Sequence, residues 1–133
     1  MSAAELTVGD SIAELRVTPD AGLTHRYAEA SGDMNPIHID EEFARSVGLP
    51  GCILHGLWSM AQVARAHSAL AEGDPRALKR LSVQFRGMGL PERELVVTAT
   101  VTGREGDRVT TATEAAQGEN RIIRNGEAEV ELG

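Results

Sequence analysis

The chain has 133 residues, of which 41% are hydrophobic and 25% are charged, so we expect a single globular domain over residues 1–133. Its formal net charge of -7 at pH 7 and aromatic content of 3% argue against a nucleic-acid partner, which needs a basic surface or exposed aromatic rings. The sequence shows neither a signal-peptide pattern nor an apolar run of the roughly 20 residues that span a bilayer. We therefore expect a cytoplasmic protein without membrane insertion, and the single cysteine, Cys52, is compatible with a reducing compartment.

The first predicted elements are a short strand and a helix. Residues 12–17 indicate the strand. Thr18 can then cap a helix that begins with Pro19 and Asp20, because threonine accepts hydrogen bonds from free N–H groups and proline is tolerated in a first turn. Gly32 ends this predicted helix.

The next segment, residues 32–39, is predicted to be irregular. Pro36 blocks a helix and pushes the residue before it toward extended conformations. Asp40 can cap a short helix that ends near Gly48. The segment between the two helices therefore reads as a loop.

A longer helix and then four strands complete the prediction. The helix runs from Gly56 to about Glu72, with an apolar side formed by Leu57, Met60, Ala61, Ala64 and Leu70. The strands cover residues 78–85, 94–102, 108–115 and 121–132, with a bulge or further turn at Asn125-Gly126. Helices that precede a run of strands indicate an α+β fold with an antiparallel sheet.

The densest polar cluster, residues 31–38, contains a carboxylate and an imidazole. Asp33 can act as an acid or base, and His38 exchanges a proton near neutral pH. In an extended chain residues five apart point to opposite faces, so the two side chains meet only if the segment folds back. From the residues alone, an Asx-type turn with His38 on the surface is the more common outcome.

A second cluster stands where the long helix begins. Free N–H groups at a helix start can stabilise an anion, and Gly56 also suits close backbone packing. His55 is the main rival of His38 as a catalytic histidine, although we expect it to order the loop. The four histidines and one cysteine show no zinc-binding spacing, so we expect no metal.

Residues 27–38 resemble the hydratase 2 motif of MaoC-like proteins. The likeness extends through residues 43–44, 48–50 and 55–56 to the strand at 81–86, and its core is the run Gly32-Asp33-Met34-Asn35-Pro36-Ile37-His38. The resemblance implies a hot-dog fold, in which a curved antiparallel sheet wraps around a central helix. Such domains usually pair, so it implies a homodimer, or a heterodimer with a related subunit.

The resemblance also implies a function and its residues. It implies (R)-specific hydration of 2-enoyl thioesters and the reverse dehydration of (3R)-hydroxyacyl thioesters, carried on coenzyme A or acyl carrier protein, with no further cofactor. It implies that Asp33 and His38 are catalytic. Substrate-binding roles fall to Ser31, Asn35, Arg86 and the Gly56 N–H, which would stabilise an oxyanion.

Other functions are compatible with the same fold. A hot-dog thioesterase is one alternative, and the Asp33–His38 motif argues against it. A non-catalytic acyl-binding subunit would be expected to lack this pair. The chain can also be the catalytic subunit of a heterodimeric 3-hydroxyacyl-carrier-protein dehydratase.

Overall fold

An antiparallel sheet of five strands, in the order β1-β3-β4-β5-β2, forms the body of the protein. The computed structural model describes residues 3–133. Its strands are β1 (Leu15–Val17), β2 (Leu78–Phe85), β3 (Leu95–Glu105), β4 (Arg108–Gln117) and β5 (Asn120–Glu131). Three of the four long strands follow one another in sequence, and β2 lies at the edge beside β5. The predicted α+β class with an antiparallel sheet is confirmed.

Four α-helices precede or connect the strands. They are α1 (Leu23–Ser31), α2 (Pro36–Ile39), α3 (Glu41–Ser46) and α4 (Gly56–Ser68), with short 3-10 turns at Ala3–Glu5, Ala69–Ala71 and Pro75–Ala77. None of the helices in residues 3–133 is long and apolar enough to cross a membrane.

The core lies between α4 and one face of the sheet. Along β3 the buried side chains alternate with exposed or half-buried ones, as expected of a strand with one face in the core. Val63 and Ala66 of α4 join this layer. The aliphatic members contributed by β3 are Leu95, Val97, Ala99 and Val101.

Helix α1 starts later than predicted. Its N-cap is Gly22, and the region at Thr18 and Pro19 is not helical. The side chain of Asp20 instead accepts a hydrogen bond from the Gly22 N–H, and the Pro19 carbonyl accepts one from Glu92. These bonds hold the segment outside the helix. The predicted end at Gly32 is confirmed, since Gly32 has a φ of 80° and donates to Ala28.

The prediction that residues 32–39 contain no helix is wrong for their second half. Pro36 is the first residue of α2, where its missing N–H costs no hydrogen bond. Asn35 is extended, as predicted before a proline, and its side chain caps the turn. Asp40 caps α3 by accepting from Phe43, which confirms the predicted cap.

Helix α4 begins at Gly56 as predicted and ends at Ser68, with a 3-10 turn beyond it. The predicted apolar side is partly wrong, because Leu57 is 64% exposed and Ala61 is also exposed. The buried residues of α4 are Ser59, Gln62, Val63, Ala66 and His67. Three of them, Ser59, Gln62 and His67, are polar, and an apolar pattern does not reveal them.

The strand predictions differ mainly in length. The structure reproduces residues 78–85 as β2, extends β3 and β4 at their C-terminal ends, and shortens the first strand to Leu15–Val17. Asn125-Gly126 is a bulge within β5 and not a turn, as the register shifts show. Asn125 has a φ of 51°, and a β-carbon on Gly126 would lie 2.7 Å from the Thr113 carbonyl oxygen.

Candidate active site

Asp33 and His38 are brought together by the turn of α2. The Asp33 Oδ2 atom lies 3.8 Å from the His38 Nε2 atom. The His38 side chain is 9% exposed and the Asp33 side chain 53% exposed. The pair therefore spans the boundary between the protein interior and solvent, where a small molecule can reach both groups.

Local hydrogen bonds shape the segment that carries Asp33. The Ser31 hydroxyl accepts from the Asp33 N–H at 3.1 Å, and the Asp33 carboxylate accepts from the Asn35 N–H at 3.3 Å. The Asn35 side chain accepts from the Ile37 N–H at 3.2 Å. The Asx-type turn considered as the alternative is therefore present, and it coexists with a buried His38 beside Asp33.

The tautomer of His38 follows from its surroundings. Its Nδ1 atom lies 2.8 Å from the Ile53 carbonyl oxygen, which can only accept a hydrogen bond. Nδ1 therefore carries the proton, and the lone pair of Nε2 points to the side where Asp33 lies. This arrangement leaves Nε2 free to accept a proton.

His55 contacts both members of the pair. Its Nε2 atom lies 3.1 Å from the Asp33 carbonyl oxygen, and its ring stacks on His38 with centroids 3.8 Å apart and planes 21° apart. Tyr27 packs on it at 4.7 Å. Burial lowers the pKa of His55, which favours its neutral form. Its Nδ1 atom is buried without a hydrogen-bond partner in the part of the chain described.

Gly56 lies at the exposed start of α4, directly after His55. In residues 3–133 its backbone N–H has no acceptor, as expected in the first turn of a helix. A β-carbon at Gly56 would lie 3.1 Å from Cε1 of Phe85. The predicted oxyanion donor thus directly follows His55 in the chain and lies beside the ring of Phe85.

Arg86 is not brought to the Asp33–His38 pair. It is exposed just beyond β2, and its guanidinium group donates to the Gln84 side chain at 3.0 and 3.2 Å. No hydrogen bond or ion pair among residues 3–133 joins it to either residue of the pair. Its predicted contact with substrate therefore remains a prediction.

The nitrogen and oxygen atoms of Asp33, His38 and His55 approach within 4.8 Å of one another, so these residues are candidate metal ligands. The ring geometry does not fit this role. Rings stacked 3.8 Å apart with planes 21° apart direct their lone pairs within nearly parallel planes, whereas ligands of one ion must converge on it. The His55 Nε2 atom is also committed to the Asp33 carbonyl oxygen.

Two contributors to the site carried no clear signal in the sequence. The Ile53 carbonyl is a backbone group, and nothing in its side chain indicates the bond to His38. Phe85 reads only as the end of a strand, although the chain has just two phenylalanines. The signal in the sequence that could have pointed to Phe85 is a rare aromatic residue at the end of a predicted strand.

Comparison with known proteins agrees with this geometry. A family model described as "MaoC like domain" matches residues 7–121. The chain is 35% identical over 94 residues to the peroxisomal enoyl-CoA hydratase 2 of Arabidopsis thaliana, covering 70% of this chain and 29% of that protein. It also matches fungal fatty acid synthase beta subunits, of which it spans only 4% to 6%.

Two solved structures share the fold over nearly the whole chain. A MaoC-like dehydratase superimposes with a TM-score of 0.90 at 26% identity, over 99% of this chain and 42% of that one. The R-hydratase PhaJ1 of Pseudomonas aeruginosa superimposes with a TM-score of 0.83 at 27% identity, over 98% of this chain and 84% of that one. The predicted hot-dog fold, a curved antiparallel sheet around a central helix, is confirmed.

Proposed function

The chain belongs to the MaoC-like domain family, and on that premise we propose that it catalyses (R)-specific hydration of 2-enoyl thioesters and the reverse dehydration of (3R)-hydroxyacyl thioesters. The observation that carries the proposal is the placement of the Asp33 carboxylate 3.8 Å from the Nε2 of His38, whose Nδ1 faces the Ile53 carbonyl oxygen. The names of the enoyl-CoA hydratase and the R-hydratase among its relatives support the same reaction class. The protein would accordingly be a hydro-lyase.

In the proposed hydration, one water molecule is held between Asp33 and His38. Two hydrogen-bond acceptors 3.8 Å apart can both contact a single water oxygen at about 2.8 Å. As the oxygen of this water bonds to C3 of the substrate, one of its O–H bonds breaks and that proton passes to the Asp33–His38 pair. The electrons of the C2=C3 π bond move toward the thioester carbonyl, and C2 then gains a proton from the pair.

The Gly56 N–H is proposed to stabilise the charge that develops on the thioester oxygen. That oxygen becomes negative when hydroxide adds at C3 and the enolate forms. A free N–H at the start of α4 combines a hydrogen-bond donor with the positive end of the helix dipole. The absence of a β-carbon at Gly56 lets the oxygen approach the backbone in front of Phe85.

The substrate is proposed to carry its acyl group on coenzyme A or acyl carrier protein, and no other cofactor is needed for this chemistry. Ser31 and Asn35 would contribute indirectly, because their side chains fix the backbone around Asp33. Arg86 is exposed, and among the described residues its guanidinium group hydrogen-bonds only to the neutral side chain of Gln84. An anionic carrier can therefore compete for it without breaking an ion pair.

The test is direct incubation with straight-chain trans-2-enoyl-CoA substrates of several lengths. We expect loss of the enoyl absorbance, formation of the (3R)-hydroxyacyl-CoA on chiral analysis, and no release of free thiol. Asp33→Asn serves as the inactive control of equal size. Release of thiol would support the thioesterase alternative, and a (3S) product would contradict the proposed stereochemistry.

We also propose a homodimer joined at the β2 edge, with a heterodimer containing a related subunit as the alternative. β2 is eight residues long and, within residues 3–133, pairs with β5 alone among the strands, and its last residue, Phe85, is 48% exposed. A long free edge invites pairing with a second chain, and a two-fold axis closes such a pair. Native mass spectrometry at assay concentrations tests this, and an active monomer would contradict it.

We propose a cytoplasmic location, and the single free cysteine, Cys52, is compatible with a reducing compartment. The Arabidopsis relative is peroxisomal by name, so relatives do not share one compartment. Fractionation of cells that express the tagged protein tests the location, and recovery in an organelle fraction would contradict it.

A further inference from the structure

In residues 3–133, one side chain from a distant part of the sequence hydrogen-bonds to the segment that carries Asp33, residues 32–35. Residues 32–35 bond mainly to their immediate neighbours in sequence, from Ala28 to His38. In residues 3–133, the only hydrogen bond that reaches them from a distant position comes from the Nε2–H of His55, which donates to the Asp33 carbonyl oxygen at 3.1 Å. The position of the carboxylate therefore depends on His55.

His38 is anchored differently. It belongs to α2, and its Nδ1–H donates to the Ile53 carbonyl oxygen at 2.8 Å. The ring of His55 stacks on it as a further support. Loss of His55 should consequently displace Asp33 more than His38.

The neutral form of His55 suits its position between the ring of His38 and the carbonyl oxygen of Asp33. Because burial lowers its pKa, His55 stays neutral when His38 takes up a proton, and the stacked rings do not both become positive. The His55 ring is 2% exposed, and its buried Nδ1 has no partner within residues 3–133. A polar atom kept in this state costs stability, which is more common at functional positions than in the core.

We propose that His55 is the positioning residue of the site, holding the Asp33 carboxylate at the distance from His38 at which the two groups share one water molecule. It acts through the Asp33 backbone and does not touch the reacting atoms. This inference rests on the proposed function and adds a residue to it.

Two substitutions separate the hydrogen bond from the ring. His55→Phe keeps the stacked ring and removes the donor, whereas His55→Gln places an N–H near the position of Nε2 and removes the ring. We expect His55→Phe to lower kcat by about 10- to 100-fold, as displacements near 1 Å do, with KM nearly unchanged. His55→Gln should retain more of the activity, because His38 has its own anchor at Ile53.

Stability measurements keep this result interpretable. His55→Phe removes a buried nitrogen that has no partner in residues 3–133 and also removes the bond to the Asp33 carbonyl oxygen. These two changes oppose each other, so its unfolding temperature should change little. Thr111→Val, which removes a buried hydrogen bond at the other end of α4, is the matched control that loses stability and keeps its kcat. A rise in KM without loss of kcat in His55→Phe would overturn the inference, and so would greater activity in His55→Phe than in His55→Gln.

A double-mutant cycle with Asp33→Asn gives the decisive result. If His55 acts through Asp33, adding His55→Phe to Asp33→Asn should cost less than about threefold in kcat. An equal loss in both backgrounds would overturn the positioning role alone. Full activity of the single Asp33→Asn variant would overturn the proposed function itself, and the two failures are thereby distinguished.

Discussion

The two ends of α4 each hold a buried histidine, and they differ in how the ring nitrogens are satisfied. His67, at the C-terminal end, is 0% exposed, and its Nδ1 and Nε2 lie 2.8 Å from the Val63 carbonyl oxygen and the Thr111 hydroxyl. His55, at the N-terminal end, has one nitrogen bonded and one without a partner in the described residues. Burial lowers the pKa of both histidines.

The difference separates a structural histidine from one that serves a site. A fully bonded neutral imidazole ties α4 to β4 and leaves no group available to a ligand. A buried imidazole nitrogen without a hydrogen bond lowers the stability of the fold. Such a group is expected where the residue contributes to function, as His55 does beside Asp33. Substitutions at the N-terminal end should therefore change activity, and those at the C-terminal end should change stability.

The largest expected effect is at the Asp33–His38 pair. Asp33→Asn and His38→Ala should each lower kcat by about 10²- to 10⁴-fold, the usual contribution of general acid–base catalysis. The double variant should be little worse than the worse single variant, because the groups act as a unit. Steady-state kinetics and a thermal unfolding scan check this. A kcat within a few-fold of the parent in Asp33→Asn would contradict the mechanism.

Substitution of Gly56 tests the oxyanion donor at the same end of α4. Gly56→Pro should lower kcat by about 10²- to 10³-fold through loss of the N–H. The chain should still fold, because His55 already has the extended conformation required before proline, with φ of -67° and ψ of 133°. Gly56→Ala keeps the N–H and only moves the half-exposed Phe85 ring, so it should mainly raise KM. Equal losses of kcat in both variants would indicate a packing role for this glycine.

At the opposite end of α4, Thr111→Val should affect stability alone. It leaves His67 Nε2 buried without a partner, which typically costs about 1–3 kcal/mol in the free energy of unfolding. Thr100→Val, on an exposed position of β3, is the matched control and should stay within about 0.5 kcal/mol. Urea denaturation measures both. A tenfold loss of kcat in Thr111→Val would remove the contrast between the two ends.

The smallest effect concerns the pH dependence of stability. Because burial lowers the pKa of His55 and His67 in the folded state, the unfolded chain binds more protons below about pH 6.5, the ordinary pKa of histidine. Stability should be fully present above that pH and decrease as the pH falls, by at most about 1.4 kcal/mol per pH unit for each histidine. Urea denaturation between pH 7.5 and 5 should show a smaller slope for His55→Phe. Increased stability on acidification would contradict the assignment.

The sequence was most informative where local chemistry determines structure. The strands follow from alternating apolar residues, and the α3 cap at Asp40 and the α1 end at Gly32 follow from short-range hydrogen bonding. The motif from Gly32 to His38 was recognised as a candidate site through its resemblance to the MaoC-like family, since the residues alone favoured an ordinary Asx-type turn. Asp33 and His38 meet because α2 turns the chain between them. Pro36 was expected to prevent a helix there, and it is the first residue of α2.

Long-range bonds explain what could not be predicted. His67 and Thr111 are 44 residues apart, and their hydrogen bond turns a polar position into a core position. His38 is buried for the same kind of reason, because its Nδ1 hydrogen-bonds to the backbone carbonyl of Ile53. The substrate contact of Arg86, expected from the resemblance and the dimer, stays a prediction, and in the structure its guanidinium group donates to Gln84.

The contact between Phe85 and Gly56 has a consequence for how activity depends on concentration. Phe85 belongs to β2, the strand proposed to join two copies of the chain, and its ring also forms one wall beside the start of α4. Dimer formation and the shape of the site are then coupled, because contacts that fix β2 in the dimer also fix the Phe85 ring beside α4. The fraction of correctly shaped sites would therefore follow the fraction of dimer. Specific activity should rise with protein concentration around the dimer dissociation constant, and substrate should in turn favour the assembled form.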